Sequence, residues 1–436
     1  FAFGGEAKPK DYARTIADGA VLALIACLGL TLLSHEASPI LTQLAFVSCA
    51  FYGVAALPYH PRYSLTALSV GLLGLCLSGA PSFAVLMAVG SGFLCLLDRR
   101  STSAKTGRQH ALWLLAMGLA VAALASALDV WHWRLRALHN DWQAWRSLLR
   151  LMAWFTWPAW PLAVWTLWRW RRQWTSLHWS RHLVLPMWFT ALTVSTAMLT
   201  HSSDQTLLLA LPAFATLAAF ALPTLRRSLS AWIDWFTLLF FSVCALIVWV
   251  VWISLQTGLP AQPAINVARL VPGFTAEFSW ITLALALSAT LAWFALVRWR
   301  IGHHRTAIWK SMVLPASGAV LCWLLVMSLW LPMLDFSRSY TQMVKKVTDV
   351  TGPTHCLQYA GITRSQGTAF QFHAKVQLLA AQSPQTDCRW LIVDRANLPL
   401  LSTKLQMLGW TEAGKARRVQ SKEEGIVIFR PTQRLP

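Results

Sequence analysis

The chain has 436 residues, of which 56% are hydrophobic and only 12% are charged, with 26 tryptophans and 20 phenylalanines. A soluble domain carries about a quarter charged residues, so this composition excludes an ordinary soluble enzyme as well as a disordered chain. The net charge of +20 lies mostly in short loops between apolar segments, where it sets membrane topology. We therefore expect membrane lipids, and not nucleic acid, as partners.

The N-terminal residues 1–18 carry Lys8, Lys10 and Arg14 and predict a short cytoplasmic segment. The sequence starts with Phe1 and shows no signal peptide. We expect the chain to be a fragment of a longer protein.

Residues 19–333 predict an all-α, polytopic transmembrane domain of about eleven helices. Residues 64–97 are compatible with one long broken helix or with two helices around the turn LSGAPS. Four basic loops, at 99–108, 169–181, 226–227 and 298–310, are separated by even numbers of spans, which places them all on the cytoplasmic side. The predicted spans are 19–34, 40–58, 64–78, 82–97, 111–131, 151–170, 183–200, 206–223, 232–254, 280–298 and 311–333.

Short polar turns on the opposite, outer side read SHEASP (34–39), LSGAPS (77–82) and THSSDQ (200–205). They contain His35 next to Glu36, and His201 three residues before Asp204. Carboxylates and imidazoles at this depth are costly, so they are usually partnered or functional, and a divalent metal could join them to a phosphate. The alternative is that these side chains only cap helices at the water boundary.

Two longer outer segments also leave alternatives open. Residues 132–150 are amphipathic and rich in tryptophan, which predicts a helix flanking the next span or a cationic patch for an anionic lipid. Residues 256–277 form a long loop with three prolines, and a loop of this length is often a functional lid. Arg269 in that loop is either a phosphate ligand or a surface arginine.

Residues 334–436 predict a separate, small α/β domain on the outer side. The β-prone runs CLQYAGI, RWLIVD and GIVIF alternate with the helical patterns SYTQMVKKVTDV and AFQFHAKVQLLAAQ. Cys356 and Cys388 open two of these strands, and an oxidising compartment would let them pair, although two thiols can also occur together by chance. The other six cysteines lie in spans, where cysteine behaves as a small apolar residue.

Four segments resemble the polytopic, lipid-phosphate-dependent glycosyltransferases of the GT-C superfamily. They are LGLTLLSHEASPILTQLAFVSCAFYGVAALP, GLCLSGAPSFAVL, LTHSSDQTLLLALPAFATLAAF and SLWLPMLDFSRSYTQMV. The bacterial 4-amino-4-deoxy-L-arabinose transferases and the dolichyl-phosphate-mannose protein mannosyltransferases are the most similar members. Such enzymes move a sugar from a polyprenyl-phosphate donor to a lipid, glycan or protein acceptor, such as lipid A, on the periplasmic side of the inner membrane.

The resemblance implies that the principal catalytic acid lies upstream of this fragment. Glu36 is then the best local catalytic candidate, and His35 and Glu36 are the candidate metal ligands. Among the remaining positions, Gly79 stands where relatives often carry a lysine, and Gln205 and Leu208 stand near positions that often hold a basic residue and a tyrosine. The substrate-binding candidates are His35, Ser78, His201, Asp204 and Arg269.

Two other function classes fit a polytopic membrane protein. A transporter or flippase of lipid-linked sugars should show repeat symmetry and ionisable residues at mid-membrane, and the sequence shows neither clearly. A non-catalytic membrane scaffold would explain why the cationic anchors of the family are missing.

Overall fold

The computed structural model describes residues 8–33, 38–97, 104–131, 142–175, 180–199, 203–302, 309–381, 388–398, 409–418 and 425–431. The chain divides into two compact units. Unit 1 comprises Phe1–Cys244 and Ala289–Trp323, and unit 2 comprises Ala245–Ser288 and Leu324–Pro436.

The first part of the chain is entirely helical within the described ranges. Several of its helices begin at a proline, whose fixed φ and missing N–H suit the first helical turn. These helices are α1 (Pro9–Ala26), α2 (Leu28–Leu33), α3 (Ile40–Ala56), α4 (Pro61–Leu77), α5 (Pro81–Leu97), α6 (Ala104–Ala127), α7 (Trp142–Phe155), α8 (Ala159–Arg169), α9 (Arg171–Thr175), α10 (Arg181–Leu199), α11 (Ser203–Leu208) and α12 (Leu211–Ala221).

Longer helices follow, and then the mixed C-terminal region. The helices are α13 (Arg227–Thr257), α14 (Ala261–Leu270), α15 (Trp280–Gly302), α16 (Lys310–Leu325), α17 (Leu331–Arg338), α18 (Thr341–Thr351) and α19 (Arg364–Ala369). A π-helical turn (Val326–Trp330) joins α16 to α17, and a second one (Phe370–Ala374) follows α19. The strands are β1 (Cys356–Ala360), β2 (Gln377–Ala380), β3 (Leu391–Asp394), β4 (Trp410–Arg417) and β5 (Gly425–Pro431).

Five helical stretches in the described ranges are long and apolar enough to cross a membrane: Gly107–Ala127, Arg181–Leu199, Ser228–Thr257, Trp280–Arg300 and Lys310–Thr351. Four shorter apolar helices accompany them, at Ile40–Ala56, Pro61–Leu77, Pro81–Leu97 and Leu211–Thr224. The prediction of a helical membrane protein with a small C-terminal sheet domain is confirmed. The number of spans and the side on which the sheet domain lies stay predictions.

Several predicted spans are interrupted. The span predicted at 19–34 is divided between α1 and α2, and the span at 206–223 between α11 and α12. Residues 64–97 form two helices, α4 and α5, and not one broken helix. Residues 142–155 form α7 directly before α8, whereas residues 132–141 lie outside the described ranges. The loop predicted at 256–277 contains the helix α14.

Glycines allow α3 and α4 to approach each other closely. A Cβ atom added to Gly71 would lie 2.7 Å from both the Ala50 nitrogen and the Phe46 oxygen, and one added to Gly53 would lie 2.9 Å from the Leu68 nitrogen. Because these neighbours are backbone atoms, no side-chain rotation can make room. Small residues at helix contacts are the usual means of close packing in membranes.

The C-terminal sheet has the strand order β2-β1-β3-β5-β4. β1 pairs in parallel with β2 and β3, and β5 pairs antiparallel with β3 and β4. The helix predicted over AFQFHAKVQLLAAQ is wrong in its second half, because the chain leaves the helix at Lys375 (φ 53°) and enters β2. The edge strand β4 was not predicted because its run TEAGKAR lacks a continuous apolar pattern.

Candidate functional site

A break between α1 and α2 shapes the interior of unit 1. Cys27 has an extended ψ of 122°, so the Leu28 N–H is not used within the helix and donates instead to the Trp157 carbonyl oxygen at 3.2 Å. The Cys27 Sγ also lies 3.9 Å from the Thr156 carbonyl oxygen. These contacts hold the turn between α7 and α8 against the break in the first helix.

An apolar cavity of about 550 Å³ lies beside this turn, within unit 1. Its wall is formed by Ala26 and Leu28 at the helix break, by residues 153–162 of the α7–α8 region, by residues 233–241 of α13, and by Met312 and Pro315 of α16. Gly318 allows the Phe241 ring to lie directly against α16, because the ring occupies the space that a Cβ would take. A volume of this size is typical of sites that enclose a small molecule.

The cavity wall offers very little polarity. The Thr237 hydroxyl donates to the Ile233 carbonyl of its own helix at 2.7 Å, so its hydrogen bond is satisfied without a bound molecule. The Trp160 Nε1–H is buried and has no hydrogen-bond partner among the described residues. The described lining contains no ionisable side chain. The cavity therefore suits a hydrocarbon guest and excludes a charged one.

Aromatic side chains lie where the cavity reaches the protein surface. Trp157 and Phe236 are 39% and 48% exposed, and their ring centroids are 6.5 Å apart in an edge-to-face arrangement. Phe240 stacks on Phe236 at 5.7 Å. Phe236 and Phe240 lie on α13, which is long and apolar enough to cross a membrane, so the mouth of the cavity is suited to a guest that arrives from the bilayer.

Ser78 forms the end of α4 and the start of the LSGAPS turn. The Gly79 N–H donates to the Cys76 oxygen at 3.2 Å and the Ala80 N–H to the Leu75 oxygen at 2.9 Å, which is a Schellman motif with Gly79 at φ 93°. The Ser78 hydroxyl donates to the Leu75 oxygen at 3.1 Å. The Gln43 side chain of α3, which sequence analysis did not single out, donates to the Ser78 carbonyl at 2.8 Å.

Most of the other predicted site residues cannot be compared with this geometry. His35, Glu36 and His201 lie outside the described residues. The backbone of Asp204 is part of α11, but its side chain lies outside the described part of the structure. No group of three or more metal-ligating side chains occurs within the described ranges, so the metal site at His35 and Glu36 stays a prediction.

Arg269 lies in unit 2, on the helix α14, and is exposed. The α14 helix is held by Ser254, which is fully buried: its hydroxyl donates to the Pro260 oxygen at 2.5 Å and accepts from the Ala264 N–H at 2.9 Å. The loop thus has a defined fold. A role of Arg269 in binding phosphate remains a prediction.

An ion pair between α13 and α15 was missed by sequence analysis. Arg300 Nη2 donates to Asp234 Oδ2 at 2.5 Å, and both side chains are about one-fifth exposed, at 20% and 19%. The second carboxylate oxygen of Asp234 and the Arg300 Nε are buried without a partner among the described residues. The sequence did contain a signal for this ion pair: Asp234 lies in an otherwise apolar run, seven residues after Arg227. A charge in such a run usually needs a partner.

The two cysteines of the C-terminal domain, Cys356 and Cys388, form a disulfide with a Cα–Cα distance of 5.5 Å. The bond connects the first residue of β1 to the segment that precedes β3. The Cys388 carbonyl also accepts a hydrogen bond from the buried Gln358 side chain at 3.0 Å. Disulfide and hydrogen bond together fix the parallel pairing of β1 with β3.

Neither protein-family models nor curated protein sequences match the chain. Two solved structures do. ArnT from Cupriavidus metallidurans bound to undecaprenyl phosphate is 14% identical, with a TM-score of 0.55 over 96% of this chain and 79% of that one. ArnT from the same organism in the apo state is also 14% identical, with a TM-score of 0.51 over 95% and 78% of the two chains. The sequence resemblance is thereby confirmed at the level of the fold: over nearly its whole length, this chain has the fold of ArnT.

Proposed function

We propose that the protein is a membrane glycosyltransferase that takes a sugar from a polyprenyl-phosphate donor. The observation that carries this proposal is the apolar cavity of about 550 Å³, in a chain with the fold of a protein that was solved with undecaprenyl phosphate bound. The donor has a long hydrocarbon tail and a charged head. The cavity offers a place for part of the tail.

The composition of the cavity suits an isoprenoid chain. The tail already lies in hydrocarbon, so the cavity would hold it by close van der Waals packing and not by removal from water. The aromatic rings at Trp157, Phe236 and Phe240 present flat faces to its branched methyl groups. An undecaprenyl tail is much longer than a drug-sized guest. We infer that only a segment is enclosed and that the remainder lies in the bilayer beyond Trp157 and Phe236.

The chemistry of transfer belongs at the outer water boundary. There the donor phosphate becomes the leaving group, and cations or a divalent metal would offset its developing charge. A carboxylate would remove the proton of the acceptor hydroxyl or amine. We assign this role to Glu36, with His35, Ser78, His201, Asp204 and Arg269 as substrate-binding candidates.

The acceptor and the compartment are part of the proposal. We propose lipid A, or another glycan or protein, as the acceptor at the periplasmic face of a bacterial inner membrane, with the α/β domain of residues 334–436 on that side. The disulfide between Cys356 and Cys388 supports this placement, because structural disulfides persist in the periplasm and are rare in the cytosol.

Binding of undecaprenyl phosphate to the purified protein tests the donor assignment. Ala153→Phe places a large ring in the cavity and should weaken binding about tenfold or more, whereas Leu119→Phe, at a position 72% exposed on α6, should not. Native mass spectrometry of the two variants in detergent gives both affinities. Equal affinities, with both proteins folded, would assign the lipid to another surface.

A further inference from the structure

We propose that the C-terminal domain docks onto the membrane interface through Phe372 and Lys375, with anionic lipid headgroups as the partner. Phe372 lies in the π-helical turn after α19 and is 75% exposed. Lys375 ends this turn and is also exposed. This inference does not depend on the proposed transferase activity.

Contacts inside unit 2 indicate that Phe372 lies close to the membrane surface. The loop of residues 258–279 joins α13 to α15, which are both candidate membrane spans, so this loop lies at a membrane surface. Phe336 of α17 contacts that loop, with its ring centroid 5.7 Å from Phe274. The end of α17 is therefore at the same surface.

The residues that follow α17 contact the sheet domain and so place part of that domain near the same surface. Thr341 follows five residues after Phe336, and its hydroxyl lies 3.3 Å from the Nε2 atom of His373. Tyr340 is covered by the guanidinium of Arg418, 4.8 Å from the ring centroid. The turn that contains Phe372 is thus held against residues 340–341, which connect α17 to α18.

The chemistry of the exposed groups fits an interface and not bulk water. A phenylalanine ring that is three-quarters exposed to bulk water is hydrated at a cost in free energy. The same ring at the level of the lipid headgroups, where aromatic side chains are enriched, would be partly removed from water. Lys375, three residues after Phe372, and Arg338, at the end of α17, are both exposed, and cations at a membrane surface are attracted to anionic headgroups. Apolar or aromatic side chains combined with lysine or arginine are the usual composition of an interfacial anchor.

Photocrosslinking in nanodiscs tests the proposal. Benzoylphenylalanine is introduced at Phe372 in the full chain and, as a matched control, at Val350, which is 41% exposed and lies nine residues beyond Thr341 on α18. Irradiation in nanodiscs of phosphatidylethanolamine and phosphatidylglycerol should give a lipid adduct at position 372 and little at position 350, as measured by peptide mass spectrometry.

A second variant separates the ring from the charge. Lys375→Gln should reduce the preference of the adduct for phosphatidylglycerol over phosphatidylethanolamine by up to about fivefold, the effect of one cation near an anionic surface. Equal lipid adducts at positions 372 and 350, or adducts only to protein, would overturn the docking proposal. An unchanged lipid preference in Lys375→Gln would overturn the role of the cation.

Discussion

Single residues determine how closely the helices of unit 1 can pack, and Gly71 is the clearest case. Gly71→Ala should lower stability by about 2 kcal/mol, because the new methyl group meets the backbone of α3, which cannot move aside. Gly92→Ala on α5 is the matched control, since its Cβ would find nothing nearer than 3.4 Å and a helical alanine is favoured. Thermal unfolding in detergent compares the two, and an equal loss in both would argue against close α3–α4 packing.

Glu36 is the single residue that we propose as the base of the transfer reaction. Glu36→Gln keeps the size of the side chain but removes the base, so sugar transfer should fall by about a hundredfold or more while membrane insertion persists. Transfer from a labelled polyprenyl-phosphate sugar measures it, with Ser38→Ala as a nearby control. Full activity in Glu36→Gln would remove Glu36 from the site.

The elements of the C-terminal domain depend on a covalent link between strands. Replacing both Cys356 and Cys388 with alanine should lower the stability of the domain by about 3 to 4 kcal/mol, because the bond closes a loop with a sequence separation of 32. In the unreduced, denatured protein only six of the eight cysteines should react with maleimide. Eight reactive thiols in protein isolated from membranes would contradict the disulfide.

Elements that follow local patterns were predictable from the sequence, and elements that depend on distant partners were not. Hydropathy located α13, α15 and α16 because a membrane-length apolar run is a property of a continuous segment. Hydropathy did not predict the helix break at Cys27, because the break is stabilised by a hydrogen bond from the Leu28 N–H to the distant Trp157 carbonyl. β2 was taken for helix because the run QLLA is too short for its period to decide, and only its pairing with β1 makes it a strand.

At the scale of the whole molecule, the sequence indicated the fold class and the resemblance but could not show the cavity. The cavity wall combines residues from Ala26 to Pro315, each of which reads as an ordinary apolar position in its own helix. The LSGAPS turn was recognised from its Ser-Gly-Ala-Pro pattern, yet its contact with Gln43 needed the packing of α3 on α4. Polar turns are visible in sequence, whereas an apolar site is distinguishable from core only after folding.

We propose that this chain transfers a sugar from a polyprenyl-phosphate donor whose tail occupies the apolar cavity. The most direct measurement is incorporation of labelled sugar into lipid A or another membrane acceptor, in membranes that contain the full protein, Ala153→Phe or Leu119→Phe. The protein and Leu119→Phe should both transfer the sugar, and Ala153→Phe should lose about tenfold or more of this activity. Label that crosses the bilayer still attached to its polyprenyl phosphate, with no acceptor labelled, would contradict the transferase and favour a flippase.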